Sequence, residues 1–186
     1  MFNKLKFAFV LCIGFLILQC TKNPTKNDEP ADKNIRELSI AEKELVESDN
    51  KFGLKLFKEI NKQDQDKNIF ISPLSVSMAL GMTYNGADST TLEAMHETLE
   101  YGNLSINEVN ESYQSLIKLL TELDPKVIFD IANSIWYREG FSVENDFLTT
   151  NQDYFDAIVE ALDFNRSDAA DIINAWVDEN TNGKIE

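Results

Sequence analysis

His96 is the only histidine in the chain, and it sits among Glu93, Glu97 and Glu100 on one stretch. General acid–base or nucleophilic chemistry around it would need a paired serine or cysteine and an orienting carboxylate. No G-x-S-x-G elbow is present to supply the serine. A metal centre would need further ligands at suitable spacing, and none stands near His96, so it reads as a surface histidine. Gly81 and Gly86 are isolated and form neither a P-loop nor a dinucleotide fingerprint. The carboxylates are abundant but form no distinctive pair of the kind glycosidases use. The chain therefore does not read as an enzyme, and no cofactor is called for.

Composition narrows the classes further. Of 186 residues, 43% are hydrophobic, enough for a buried core. Net charge is −15, and loss of a leader carrying Lys4 and Lys6 would take it to −17. So acidic a chain repels phosphate backbones, which excludes nucleic acid as a partner. The charge could attract a cationic partner, but solubility is the simpler use of it.

The N-terminus reads as an export signal over 1–19. Lys4 and Lys6 precede an apolar run of 12 residues, Phe7 to Leu18. That length suits a signal core and falls short of the roughly 20 residues that span a bilayer. Leu16-Ile17-Leu18-Gln19-Cys20 resembles the lipobox of bacterial lipoproteins, with Gln19 where a small residue is usual. The resemblance implies lipidation of Cys20 and membrane attachment through the acyl chains; plain secretion is the competing reading. The segment 20–34 is polar and Pro-containing and reads as a flexible tether. A folded domain is expected over 35–186.

Within that domain the periodicities predict a helix over 37–62 with Leu45, Asp49, Phe52, Leu56 and Ile60 on one stripe. A short strand is expected over 67–71. Ser72 then caps a helix with Pro73 at its first position, and this helix is apolar on most sides and so belongs at the centre. Asn85-Gly86 is expected to end it in the left-handed conformation. A second helix starts near Asp88 or Thr90, with Thr90 to Glu93 as a capping box. The next, over 106–122, carries the stripe Val109, Tyr113, Leu116, Leu120 and Leu123. A strand is expected over 127–137 with both faces covered, which obliges Asn133 to find hydrogen-bond partners. A helix over 143–155, a strand over 157–164 and a helix over 168–180 follow, the last ended by Thr181-Asn182-Gly183.

These elements carry a family resemblance. Asn68-Ile69-Phe70-Ile71-Ser72-Pro73-Leu74-Ser75, with Ala79-Leu80 and Asn85-Gly86-Ala87, resembles the serpin segment that leads into the central buried helix. Ala132-Asn133-Ser134-Ile135-Trp136 with Gly140-Phe141 resembles the first long strand of the large serpin sheet. Tyr154-Phe155 and Asp163-Phe164 resemble the next helix and strand, and Ile173-Asn174-Ala175-Trp176-Val177 through Thr181, Gly183 and Ile185 resembles the helix across that sheet. Order and spacing match from about Glu44 to Glu186.

The resemblance implies an α+β fold: the N-terminal half of a serpin, with several helices on part of a large mixed or antiparallel sheet, truncated after the helix that crosses the sheet. It implies an inhibitor of serine or cysteine proteases that offers an exposed loop as bait and inserts it, once cleaved, as a new strand. That loop lies beyond Glu186 in the family, so residues 20–186 alone are expected to fold poorly and not to inhibit. A non-inhibitory serpin-fold lipoprotein and a remnant without function are the alternatives. The resemblance also implies a conformational gate at Ser72, Pro73, Ser75 and Asn174, with Asn133, Trp176, Thr181 and Gly183 in support. The helix over 106–122 has Lys118 as its only base, so no heparin site is expected there.

Overall fold

The structure is a computed structural model and describes residues 35–185. The expected signal, Cys20 and the tether lie outside the described residues. The elements are α1 (Ile40–Gln63), α2 (Pro73–Tyr84), α3 (Ser89–Thr98), α4 (Ile106–Glu122), β1 (Asn133–Arg138), α5 (Asn145–Phe155), β2 (Ala157–Leu162) and α6 (Ala169–Asn180).

Capping side chains set the helix starts. Ser39 and Glu42 form a reciprocal box at α1, and Ser105 and Glu108 do the same at α4, so two orphan N–H groups are satisfied at each end. Asp88, rather than Thr90, caps α3 by accepting from the Ser89 N–H. Asp88 directly precedes the helix, so its carboxylate reaches the first free N–H, whereas Thr90 already lies inside it. α2 ends differently from expectation. Asn85 stays right-handed at φ −64°, and Gly86 is required for space instead. A Cβ on Gly86 would lie 2.9 Å from the ring of Phe147.

Close approach recurs around α2. A Cβ on Gly53 of α1 would stand 2.8 Å from Pro73 Cβ, and one on Gly81 would meet Tyr101 and Tyr113 at 3.2 Å. The core fills in around these contacts with Leu45, Phe52, Met78, Met82, Tyr101, Val109, Tyr113 and Phe155. Polar ties span the same helices. Asn85 and Asn110 exchange amide hydrogen bonds at 3.0 and 2.8 Å, joining α2 to α4. Gln114 Nε2 donates to Asp153 O at 2.7 Å, joining α4 to α5.

β1 and β2 pair in parallel from Asn133↔Ala157 to Arg138↔Leu162, with α5 as the crossover a parallel pair requires. This pair is one part of what a mixed sheet contains. Asp156, left-handed at φ 49°, turns α5 directly into β2. Two strand expectations are corrected. Residues 67–71 form no ladder, and the expected strand over 127–137 shortens to Asn133–Arg138. β2 reaches back only to Ala157, so residues 127–132 have no ladder partner among the described residues, and Ile128 is left 87% exposed. Sequence pattern makes a segment extended; only a partner makes it a strand.

His96 is also corrected. It is half-buried against Tyr84 and Tyr101. Its Nε2–H donates to Gly102 O at 3.0 Å, because a carbonyl only accepts. Nδ1 then accepts from the Tyr84 hydroxyl at 2.9 Å. The ring is a structural pin.

Two outcomes follow for stability. Gly53→Ala gains about 1 kcal/mol of helix propensity. The clash with the rigid Pro73 ring costs more, about 1–3 kcal/mol for overpacking. A lower denaturant midpoint is therefore expected, and a higher one would show that α1 and α2 can part freely. Glu42 is buried, and the Arg36 guanidinium that forks onto it holds its carboxyl down at about 2 against the opposing effect of burial. A depressed carboxylate stabilises above the usual carboxylate range and loses that contribution as pH falls toward about 2. The stability gap between the wild type and Glu42→Gln should close over that acid range; a gap independent of pH would remove the ion pair from the account.

Candidate functional site

A cleft of about 1160 Å³ opens where three segments meet. One wall is the first turn of α2, with Ser72 and Ser75; Met78 and Met82 form its floor. A second is the unpaired extended chain leading into Asn133 and Ser134, and the third is the chain leaving α6, from Asn180 to Ile185.

The first wall follows from local sequence. Ser72 is extended at φ −110°, and its Oγ accepts from the Ser75 N–H. The two hydroxyls share a hydrogen bond of 2.8 Å. Pro73 occupies the first helical position, where its missing N–H leaves no bond unmade. Its ring turns away from the cleft onto Gly53.

The other walls are tertiary. Asn133 Nδ2 donates to Phe155 O at 2.8 Å, which satisfies the amide that the sequence places in an apolar strand and ties β1 to the end of α5. α6 closes with a Schellman motif: Asn182 is left-handed at φ 52°, and the Gly183 N–H reaches back to Asp178 O at 2.9 Å. Thr181 Oγ1 donates to Val177 O and accepts from the Ile185 N–H, directing the outgoing chain along the cleft. Asn182 Nδ2 donates to Asp130 Oδ2 at 3.1 Å and so joins this wall to the extended one. On the neighbouring face Trp136 and Trp176 meet edge-on with centroids 6.4 Å apart.

The structure thus brings Ser72, Ser75, Asn133 and Thr181 to one cleft. It leaves four others outside the lining. Pro73 packs on α1, Trp176 packs on Trp136, Gly183 serves the helix end, and Asn174 is exposed on α6. Sequence reasoning missed the Asp130–Asn182 tie. Its partners are 52 residues apart and neither lies on a periodic stripe, so no local signal could have paired them. What the arrangement can do is mechanical. Short hydroxyls and amides there face a chain segment that has no ladder partner among the described residues.

The family profile described as Serpin (serine protease inhibitor) matches residues 47–186. Neuroserpin of Homo sapiens is 31% identical over 135 residues, covering 72% of this chain and 33% of that protein. Neuroserpin of Gallus gallus is 32% identical over 175 residues, covering 94% of this chain and 39% of its own length. Among solved structures, native protease nexin-1 with heparin superposes with a TM-score of 0.70 at 29% identity, over 78% of this chain and 39% of that one. Reactive loop cleaved human thyroxine binding globulin superposes with a TM-score of 0.72 at 28% identity, over 77% and 43%. The chain spans about two-fifths of the length of the curated relatives it matches. Sequence, helix order and the fold around the buried α2 agree, and the chain belongs to the serpin family.

Proposed function

We propose that this chain is the N-terminal part of an exported protease inhibitor that acts as a suicide substrate. The observation that carries the reading is the serpin match over residues 47–186, joined to a cleft where α2's serine turn faces unpaired extended chain. A serine or cysteine protease attacks the bait loop, which lies outside this chain, and is caught as an acyl-enzyme. The loop then adds to the sheet as a strand, with main-chain hydrogen bonds as the driving contacts. Ser72, Pro73 and Ser75 act in this reading as the gate that must part, with Asn133 and Thr181 holding the walls. Asn174, Trp176 and Gly183 act through α6, which lies against β1 by its tryptophan. Cys20 carries the lipid that holds the protein at a membrane, and no heparin site is expected on α4, whose only base is Lys118.

One observation favours a second reading. Thyroxine binding globulin is among the structural neighbours, and its name describes a carrier. A non-inhibitory surface protein on the same scaffold is the corresponding alternative.

The first test is to read the gene beyond the codon for Glu186 and express its full product. Mixed with serine and cysteine proteases, that product should yield a complex that survives denaturing electrophoresis. Clean cleavage with the protease released active supports the carrier reading, and a stop at that codon withdraws inhibition from this product. Ser75→Leu tests the gate. Ser75 is exposed and joins the cap through its backbone N–H, which leucine keeps, so a cap-only role leaves inhibition unchanged, whereas a gate clogged by the larger side chain turns inhibition into substrate cleavage. Ser72→Ala serves as the comparison and should cost about 1 kcal/mol of stability through the lost cap alone.

A further inference from the structure

Asp49 stands on the apolar stripe of α1, between Leu45 and Phe52. α1 packs on both α2 and α4, and Asp49 lies where the three meet. Tyr113 of α4 is buried and donates its hydroxyl to Asp49 Oδ1 at 2.8 Å. Ser77 of α2, fully buried, lies beside the carboxyl and donates its hydroxyl to Leu74 O at 3.0 Å. Tyr101, in the turn before α4, approaches the same cluster.

The ionisable groups facing Asp49 are thus two phenols, Tyr113 and Tyr101, while α2 brings only Ser77. No base enters the cluster. Lys51 pairs instead with Glu47, and Lys55 with Glu100. Asp49 also lines a cleft of about 360 Å³ between α1 and residues 69–73, which gives it a route to solvent. A carboxyl in this position keeps its hydroxyl partners in either state, but as an anion it has no counter-charge.

We propose that Asp49 is a protonation-dependent clasp: as the neutral acid it closes the junction of α1, α2 and α4, and as the anion it loosens that junction. Burial pushes its carboxyl above the usual range, and the hydrogen bond from Tyr113 with the nearby Ser77 hydroxyl offsets this only in part. The linkage follows with the opposite sign to Glu42. Stability from Asp49 is fully present below the ordinary aspartate range and is lost as pH rises through the raised native value. The clasp operates whether or not the protein inhibits.

The test is the denaturant midpoint of the full gene product from pH 3 to 8, with the wild type and Asp49→Asn in parallel. The variant keeps the shape and an acceptor for Tyr113 but cannot titrate. Other carboxylates cancel in the difference. The variant should match the wild type near pH 3 and gain on it as pH rises, to a constant lead. Parallel curves at every pH overturn the proposal. Should the variant not fold, carbon NMR titration of Asp49 in the wild type decides the point, with hydrogen exchange of the α4 segment around Tyr113 followed alongside. Exchange that quickens as Asp49 ionises supports the clasp, and exchange indifferent to that titration overturns it.

Discussion

α2 is apolar on most sides, and a helix of that kind is stable only when most of it is enclosed. Enclosure by side chains alone would hold its neighbours at ordinary interhelical distance. Gly53, Gly81 and Gly86 remove that spacing at three points, so that Pro73, the Tyr101–Tyr113 pair and Phe147 each come into contact where a Cβ would intrude. The arrangement of α1, α4 and α5 follows from these approaches. Phe155, fully buried at the end of α5, packs on Tyr113 with ring centroids 5.3 Å apart and carries the constraint on to β2.

Such tight packing is costly for polar atoms, and the structure answers with paired partners. Asn85 and Asn110 satisfy each other, Ser48 donates to Glu100 O at 2.7 Å, and His96 uses both ring nitrogens. Each tie crosses between elements, so each fixes relative position as well as relieving desolvation. Asp49 differs because its partners are neutral hydroxyls. It is the place in this helical layer where the packing depends on a proton.

Away from α2 the order reverses. Residues 69–71 and 127–132 are extended yet unpaired, and Phe70 is 98% exposed. Both flank the serine turn at the start of α2, so the most tightly enclosed helix begins at the least enclosed part of the fold. Backbone groups at such edges recruit strands. In the inhibitory reading proposed above, a closed helical layer beside open strand edges suits a domain that admits another strand, and the relatives of this chain are longer than it.

Much of this was legible in the sequence because it is governed by local rules. The stripe Val109–Tyr113–Leu116 gave α4 with its bounds, Ser72-Pro73 gave the start of α2, and Thr181-Asn182-Gly183 gave the end of α6. Periodicity, capping and left-handed turns depend on residues a few positions apart, so the chain carries them without knowing its neighbours. Other features needed the fold. Alternation over residues 127–137 looked like one strand, but ladder bonds exist only where β2 lies alongside. His96 looked solvated until Tyr84 and Gly102 O came to it from outside its helix. Of the expected gate residues, Ser72, Ser75, Asn133 and Thr181 meet at one cleft while Asn174 remains on the outer face of α6. The sequence alone determined the helices, their ends and the family. Tertiary structure decided which polar groups share a cavity, because that depends on contacts between residues tens of positions apart that leave no periodic trace.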